Sequence, residues 1–500
     1  MTAISSRLSF NVLTNIFTTL LNAFCGFIIL PFLIGQLGRD TYGFWTLIVA
    51  TVGYFLVLDI GVSGAIGRLI AAHRAKEDIR AINAVLSTTL VLLCGVSVVV
   101  FVLSFLLQFP FFWLFDVPEP QKADIAVTLL VMGFGSALYF PPLAAHAFLW
   151  GYERFDAINF VEIPTVLLRT GLILWLIQSG SHLVELAWIV VGVSIAGYIA
   201  RIAACFWIEP RLRLRPHLFS KAIAKDVFSF GIWFSLLTFF RSATPNIAPF
   251  VIGHTLGAAP VTTFIIPRML VSYSSWVMVS ATQVAAPKAA VHHFGKNPSA
   301  QQALFIEGSR YNWAFTLFFF GGAIFLGYPL LSLWQSAPQP EEYRLLLILM
   351  AGELIPLSQW VTYYAAVSMG QHRRLAEFAL AEAITIVILA YAFSRWWGLE
   401  GAAAAVAISA FVFRGILQVA YACRLIATPV SRYLRLVFGP LAIASLPPFA
   451  LIGILAAWVK PTSWLELFVL GGVYTGLFWS IIGWQLGLVP ARIFKLRGLP

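Results

Sequence analysis

Long apolar runs, separated by short polar connections, follow one another along the whole chain. Each run is continuous and roughly 20 to 28 residues long, and a helix needs roughly 20 apolar residues to cross a membrane. A β-barrel would instead give alternating segments of about ten residues. The pattern therefore predicts an all-α polytopic membrane protein with about fourteen transmembrane helices. They fall near residues 9–36, 43–70, 82–109, 124–150, 158–178, 183–208, 227–252, 260–286, 303–332, 343–369, 375–396, 399–422, 434–459 and 464–488.

Composition and charge exclude a soluble protein. Of the 500 residues, 60% are hydrophobic and 11% are charged, whereas about 25% of a typical soluble domain is charged. The net charge is +11, but most basic residues fall in short connections on one side of the predicted spans. This distribution follows the positive-inside rule, so we predict both termini in the cytoplasm and no nucleic-acid partner.

The longest cytoplasmic connection, at 209–226, is basic and partly amphipathic. We expect it to lie along the anionic inner leaflet. A plain positively charged linker is the favoured interpretation, and a site for lipid headgroups is the alternative.

The two halves of the chain match each other at a nearly fixed offset. Tyr54 falls on Tyr273 and Pro110 on Pro329, in both cases 219 residues later. Six spans separate the copies, so both halves have the same orientation, as in the parallel repeats of some transporters. We predict two pseudo-symmetric six-helix lobes facing a central cavity, with two additional helices after them. The parts are an N-terminal lobe at 1–208, a cytoplasmic linker at 209–226, a C-terminal lobe at 227–422, and two helices with a cytoplasmic tail at 423–500.

The first span carries a polar stripe on one helical face. Its members are Asn11, Asn15, Thr18 and Asn22. Lipid offers an asparagine no partner, so this face is expected to meet protein or water. The repeat places Asn22 on Ser242 of the seventh span, which favours two helices lining one shared cavity. Hydrogen bonding between helices is the alternative.

Four arginines lie within predicted spans. They are Arg169, Arg241, Arg268 and Arg414. Each costs about 2.5–3.5 kcal/mol at the centre of a membrane helix, so each is expected to face water or a partner. Arg241 adjoins Ser242, and Arg268 lies just before Tyr273. The predicted substrate-binding residues are Arg241, Arg268, Arg169, Asn15, Asn22, Tyr54, Tyr273 and Ser242. Arg414 could instead extend toward the cytoplasmic face.

Acidic residues within the spans are fewer. Asp59 and Glu353 are the candidates for binding a coupling ion, either H⁺ or Na⁺. Each could instead form a structural ion pair, which is the favoured interpretation for Asp59. Glu382 is close enough to the predicted cytoplasmic end for solvation to explain it.

A polar and aromatic cluster lies in the tenth span. Its members are Gln359, Trp360, Tyr363 and Tyr364. Such rings can stack on sugars, but packing at a helix interface is the favoured interpretation.

Several kinds of chemistry lack their sequence signatures. The chain has no P-loop, no H-E-x-x-H and no G-x-S-x-G motif, so neither ATP hydrolysis nor an enzyme of these classes is predicted. Its four cysteines all lie in apolar runs without metal-ligand spacing. We expect them to be buried small hydrophobes, and we predict no cofactor or metal.

One stretch points to a family. Gln36-Leu-Gly-Arg-Asp-Thr-Tyr-Gly-Phe-Trp45, then Leu58-Asp-Ile-Gly61 and the basic loop that follows, resemble the opening of polysaccharide (O-antigen, Wzx-type) flippases. These belong to the multidrug, oligosaccharidyl-lipid and polysaccharide exporter superfamily. The arrangement of six, six and two spans also fits. The resemblance covers nearly the whole chain and identifies the fold better than the cargo.

The resemblance implies a transporter of the bacterial inner membrane, not an enzyme. Its cargo would be an undecaprenyl-diphosphate-linked oligosaccharide, moved from the cytoplasmic to the periplasmic leaflet by alternating access. An ion gradient or the membrane potential would drive it, and a polysaccharide polymerase and glycosyltransferases would be its partners. Two alternatives remain: an ion-coupled multidrug exporter of the same fold, and a membrane-embedded polysaccharide polymerase or ligase.

Overall fold

The protein is helical throughout the ranges that the structure describes. The computed structural model describes residues 2–59, 62–229, 232–282, 285–295, 297–335 and 340–487, and these ranges contain no β-strand. The helices of the first half are α1 (Thr2–Leu37), α2 (Arg39–Gly53), α3 (Val62–Arg74), α4 (Ile79–Leu106), α5 (Gln108–Leu114), α6 (Glu119–Gly151), α7 (Phe155–Leu176) and α8 (Leu183–Ile208).

The second half has the same character. Its helices are α9 (Lys221–Ser229), α10 (Ile232–Thr255), α11 (Ala258–Thr282), α12 (Ala285–Phe294), α13 (Pro298–Trp334), α14 (Pro340–Ser358), α15 (Trp360–Ser368), α16 (Arg373–Ala410), α17 (Gln418–Leu425), α18 (Val430–Val437), α19 (Gly439–Val459) and α20 (Trp464–Gln485). Short 3-10 helices cover Tyr54–Asp59 and Pro216–Leu218, and a π-helix covers Phe411–Leu417.

The described residues contain nine helical stretches that are long and apolar enough to cross a membrane. The pair α14 and α15, bent by 41° at its break, adds a tenth if it forms one span. These helices confirm an all-α polytopic membrane protein. The count of fourteen stays a prediction, and it is compatible with this structure.

One of the nine stretches has room for two crossings. Arg373–Leu425 is 53 residues long, about 80 Å at 1.5 Å per residue, whereas a bilayer is about 40–45 Å thick. Its helical geometry breaks at Trp397 and Gly398, and Gly398 has a φ of 60°. A glycine adopts that left-handed conformation without the steric cost that a side chain brings.

The chain divides into two compact units. The first comprises Met1–Phe239 and Gly257–Thr262, and the second comprises Phe240–Leu256 and Thr263–Pro500. The lobe boundaries at 208 and 422 stay predictions.

In the first unit, α6 packs against both α4 and α8. A Cβ atom at Gly133 of α6 would lie 2.3 Å from the Cβ of Ser104 in α4. The glycine therefore allows α6 and α4 to approach more closely than a side chain would permit.

The two C-terminal helices belong to the core of the second unit. The ring of Tyr474 in α20 stacks on Phe318 of α13 with 5.1 Å between centroids. Its hydroxyl donates a 2.8 Å hydrogen bond to the Phe318 carbonyl. Trp313 of α13 donates through Nε1 to the Phe438 carbonyl at 3.1 Å. The helices after the predicted repeat are thus held by stacking and hydrogen bonds to α13.

Candidate functional site

Arg241 of α10 is a half-buried cation held by aromatic rings. Its guanidinium carbon lies 4.5 Å from the centroid of the Trp360 ring and 4.3 Å from that of Tyr363. Among the described residues, this guanidinium forms no ion pair and donates no hydrogen bond. A guanidinium has five N–H donors. Arg241 is therefore stabilised through its π contacts, and its N–H groups are available to an anion.

The aromatic partners of Arg241 form a compact cluster at the start of α15. Trp360 lies edge-on to Tyr363 with 5.6 Å between centroids and stacks on Tyr364 at 5.9 Å. Tyr363 is buried. The interpretation favoured from the sequence, packing at an interface, omitted the cation. The cluster packs, and it also holds Arg241.

A buried hydrogen-bond network fixes the bend that presents these rings. Gln359, at the break between α14 and α15, is 1% exposed. Its backbone carbonyl accepts a 2.9 Å hydrogen bond from the side-chain amide of Gln418. Its side-chain oxygen accepts hydrogen bonds from Thr362 at 3.2 Å and from Tyr433 at 3.3 Å. Trp360 follows Gln359 directly, so this network orients the aromatic cluster.

Arg268 and Tyr273 lie on α11. Arg268 is half-buried, and its guanidinium carbon lies 5.9 Å from the centroid of Phe264. The buried hydroxyl of Tyr273 has no hydrogen-bond partner among the described residues, although its ring contacts Trp276 edge-on at 5.4 Å. A buried polar group without a partner is uncommon in proteins.

Ser242, the residue that follows Arg241 in α10, is exposed.

A buried charge cluster lies elsewhere in the second unit. Arg414, in the π-helix, donates to both carboxylate oxygens of Glu353 at 2.9 and 2.5 Å. Its Nε donates to Glu382 at 2.8 Å. The side chains are 20%, 14% and 5% exposed, in the order Arg414, Glu353 and Glu382. One positive charge therefore faces two carboxylates in a largely dry environment.

Backbone geometry brings these three charges together. A Cβ at Gly352 would lie 2.3 Å from the Cα of Ala407, so glycine allows α14 to approach α16 closely. That approach brings Glu353 within reach of Arg414. The wider turn of a π-helix, which is frequent at functional sites, carries Arg414 itself.

The structure corrects two expectations. Glu382 is not explained by solvation, because it is 4% exposed and paired with Arg414. Its helix packs against α14 and the π-helix, and those contacts remove it from water. Cys94 is exposed, whereas the other three cysteines are buried as expected, and all four are free. Arg414 does not extend toward the cytoplasmic face, which was the alternative from the sequence, because it pairs with two carboxylates.

The polar stripe of α1 makes contacts between helices in the first unit. Thr18 is buried and donates to the side-chain oxygen of Asn159 in α7 at 3.2 Å. Asn159 donates in turn to the Thr14 hydroxyl at 3.0 Å. Asn22 is half-buried and donates to the Thr18 carbonyl at 3.0 Å. Hydrogen bonding between helices therefore explains part of the stripe.

The remaining predicted site residues have separate positions. Tyr54 begins a 3-10 helix and is half-buried. Arg169 is half-buried in α7 and, within the described part of the chain, forms no ion pair or hydrogen bond. The side chains of Asn15 and Asp59 lie outside the described residues.

The structure adds an ion pair that sequence reasoning missed. Arg201 of α8 pairs with Glu162 of α7 at 3.1 Å, with its side chain 13% exposed. The positive-inside distribution places Arg201 among the cytoplasmic residues, although it lies within the apolar run 183–208. The sequence feature that pointed to this ion pair is Glu162, an acidic residue 39 positions earlier. A search for acids opposite every arginine in the spans would have found it.

A family match covers the first half of the chain and part of the second. Residues 8–290 match the family described as polysaccharide biosynthesis protein. The chain belongs to the polysaccharide biosynthesis protein family. This membership confirms the family resemblance found in the sequence.

Two relatives of this polysaccharide biosynthesis protein extend the match. A Shigella flexneri protein described as an O-antigen transporter is 20% identical, over 78% of this chain and 92% of its own length. An uncharacterized membrane protein of Bacillus subtilis, EpsK, is 23% identical over 98% of this chain and 99% of its own length.

Two solved structures have a fold similar to that of this chain. An inward-facing multidrug resistance MATE family transporter of the MOP superfamily has a TM-score of 0.71 at 14% identity, covering 82% of this chain and 94% of its own. The lipid II flippase MurJ, in an inward closed conformation, has a TM-score of 0.69 at 13% identity, covering 95% and 99%. At these identities the likeness establishes the fold alone.

Proposed function

We propose that this protein is a flippase that moves an undecaprenyl-diphosphate-linked oligosaccharide from the cytoplasmic to the periplasmic leaflet by alternating access. It would serve the assembly of a surface polysaccharide such as O-antigen, capsule or exopolysaccharide. The observation that carries the proposal is Arg241, a cation in an apolar helix whose N–H donors have no acceptor among the described residues. Family membership supports a role in polysaccharide biosynthesis, and similarity to a protein described as an O-antigen transporter supports transport.

The chemistry of Arg241 suits a diphosphate. A guanidinium presents its donors as a planar fork that binds phosphate oxygens in pairs. The rings of Trp360 and Tyr363 also stabilise the cation. A cation–π contact contributes about 0.5–1 kcal/mol at an exposed site and about 2 kcal/mol or more in a desolvated one, so at the half-buried Arg241 it offsets part of the cost of holding a charge in the membrane. Arg268 would supply a second cation and the Tyr273 hydroxyl a further donor.

The oligosaccharide needs a polar path, because a hydrated glycan cannot enter hydrocarbon without losing its hydrogen bonds. In this proposal Asn15, Asn22, Tyr54 and Ser242 line that path, and Arg169 is a third cation. The polyprenyl tail stays in the lipid.

The charge cluster around Arg414 is our candidate for the coupling ion. Its three groups carry one positive and two negative charges when all are ionised, so one H⁺ or one Na⁺ would make it neutral. Glu382 is the better acceptor for that ion, because Arg414 gives two hydrogen bonds to Glu353 and one to Glu382. Asp59 remains a second candidate.

The test is translocation of a labelled undecaprenyl-diphosphate oligosaccharide in proteoliposomes. Arg241→Gln should reduce the initial rate at least tenfold, because losing a charge-assisted bond to a phosphate removes about 1.5–3 kcal/mol. Arg241→Lys should keep part of the rate, since lysine binds phosphate as a point charge.

Arg395 provides a matched control for this experiment. It makes the same type of contact, 4.5 Å from the Tyr391 centroid, but it is exposed. Arg395→Gln should leave the rate unchanged. Wild-type translocation by Arg241→Gln would remove Arg241 from the mechanism, and a new glycosidic bond in the vesicles would identify an enzyme instead.

The exporter alternative makes a different demand on the same residues. A site for cationic drugs should present carboxylates and aromatic rings without a competing cation, whereas Arg241 occupies the faces of Trp360 and Tyr363. Resistance to cationic drugs in expressing cells, without any polysaccharide phenotype, would favour the exporter.

The proposal includes partners and a location. The protein would lie in the bacterial inner membrane with both termini in the cytoplasm, and it would work with a polysaccharide polymerase and glycosyltransferases.

A further inference from the structure

The connection after α8 is a fixed strap (residues 209–220). It follows α8 after Ile208, is non-helical up to the short 3-10 helix Pro216–Leu218, and ends where α9 begins. Leu212 is 2% exposed and anchors it to the first unit. Since α8 is one of the membrane-spanning helices, the strap starts at a membrane surface.

Three polar side chains of α4 hold the backbone of this strap. Asn83 donates to the Arg211 carbonyl at 3.3 Å and accepts from the Arg213 N–H at 2.9 Å. Ser87 accepts from the Arg215 N–H, and Thr88 from the N–H of Ser220, both at 3.0 Å.

These side chains place the strap beside the first turns of α4. Asn83, Ser87 and Thr88 are all buried and lie four to nine residues after the start of α4 at Ile79. That position is about 6–14 Å along the helix. Since α4 is long and apolar enough to cross a membrane, the strap lies beside one end of α4 and directly follows α8.

A second set of contacts fixes the start of the strap. Glu209 pairs with Arg211 at 2.7 Å and accepts a long hydrogen bond of 3.5 Å from Tyr152. The guanidinium of Arg74, at the end of α3, lies 4.9 Å from the Tyr152 centroid. The strap is therefore tied to α3, α4 and the turn after α6.

The side chains that the strap presents are cationic and apolar. Arg213 and Arg215 are exposed, as is Lys221 at the start of α9. Among the described residues, none of these three cations has a carboxylate partner. Leu214 and Phe219 are also exposed, each at 38%. Unpaired cations beside exposed apolar side chains match the boundary between anionic headgroups and acyl chains.

We propose that this strap is a docking surface for anionic phospholipids of the adjacent leaflet. Arg213 and Arg215 contact the headgroup phosphates, while Leu214 and Phe219 reach the upper acyl chains. The hydrogen bonds from α4 hold the arginines in place before lipid binds, which lowers the ordering entropy of binding. Positive charge alone would make this segment a simple linker, whereas a preformed backbone makes it a binding surface.

The experiment is a titration of the full-length protein in neutral detergent with phosphatidylglycerol, following the midpoint of thermal unfolding. Phosphatidylcholine and soluble glycerol phosphate serve as parallel probes. Arg213→Gln with Arg215→Gln should weaken the apparent affinity for phosphatidylglycerol roughly 20- to 30-fold, since each basic side chain near an anionic surface contributes about fivefold. Arg213→Lys with Arg215→Lys should retain most of it, because the attraction depends on charge.

Arg373 and Arg374 provide the matched control, because they are two adjacent arginines already paired with Glu377. Arg373→Gln with Arg374→Gln removes the same charge and should leave the affinity unchanged. Equal loss in both double variants would overturn the proposal, as would an equal response to soluble glycerol phosphate. If the strap variant does not fold, hydrogen–deuterium exchange of 211–220 in wild-type protein decides: phosphatidylglycerol nanodiscs should slow it relative to phosphatidylcholine nanodiscs, and equal exchange refutes the idea.

Discussion

Replacing Arg414 by glutamine tests the charge cluster most directly. The substitution removes three hydrogen bonds to carboxylates, at 2.9, 2.5 and 2.8 Å. Glu353 and Glu382 are then left without their cationic partner at 14% and 5% exposure. Removing one partner of a buried ion pair costs about 3–5 kcal/mol, because the other partner stays in a dry environment without compensation.

That cost translates into a measurable loss of thermal stability. One kcal/mol shifts the unfolding midpoint by about 2–4 °C in a domain of roughly 150–250 residues, and by less in a larger one. Arg414→Gln should therefore lower the unfolding midpoint by about 5–10 °C in detergent. The midpoint is measured by size-exclusion chromatography of heated samples.

Glu382→Gln should behave differently from Arg414→Gln. It leaves a neutral pair of Arg414 and Glu353, and the amide oxygen can still accept from Nε, so a shift below about 3 °C is expected. The double variant Arg414→Gln with Glu353→Gln should recover part of the loss. Equal midpoints for wild type and Arg414→Gln, or an equal loss in Arg414→Gln and Glu382→Gln, would refute the reasoning.

Three further predictions concern coupling, packing and pH. Glu382→Gln should make translocation in proteoliposomes insensitive to imposed H⁺ and Na⁺ gradients. The control is Glu400→Gln, at the exposed pair with Arg344, which should leave that sensitivity intact. Unchanged sensitivity in Glu382→Gln would exclude Glu382 as the binding site of the coupling ion. Gly352→Val should lower the yield of folded protein, because a Cβ there meets backbone at 2.3 Å, and a wild-type yield would contradict the packing. The hydrogen bond from Arg211 holds the pKa of Glu209 below its usual range, so stability from this pair is present at neutral pH and lost as the pH falls through the lowered pKa. Amide protection of 209–220 should therefore decrease in acid, and Arg211→Gln should move that decrease to higher pH; an unmoved transition would contradict the assignment.

Hydropathy made the fold class accessible from the sequence. The apolar runs had to be helices, because the bilayer leaves no other way to pair the backbone of a single continuous segment. The cost of intramembrane charge likewise singled out Arg241, Arg268 and Arg414 from their positions within apolar runs. These are local properties of a chain in a known solvent.

The partners of those charges could not be read in the same way. Arg414 pairs with acids that are 61 and 32 positions away, so the choice depends on how closely α14, α16 and the π-helix pack. Trp360 and Tyr363 became partners of Arg241 only through the bend at Gln359. For the same reason, the charges of the strap were visible in the sequence, whereas its attachment to Asn83, Ser87 and Thr88 was not.

The sequence by itself therefore determined that this is an all-α membrane protein and which charges need a partner, because both follow from transfer free energies of individual residues. Only the tertiary structure decided that Arg241 is held by aromatic rings and Arg414 by two carboxylates. That decision rests on close approach between helices distant in sequence, because the strength of an ion pair or a cation–π contact falls with the distance between the side chains.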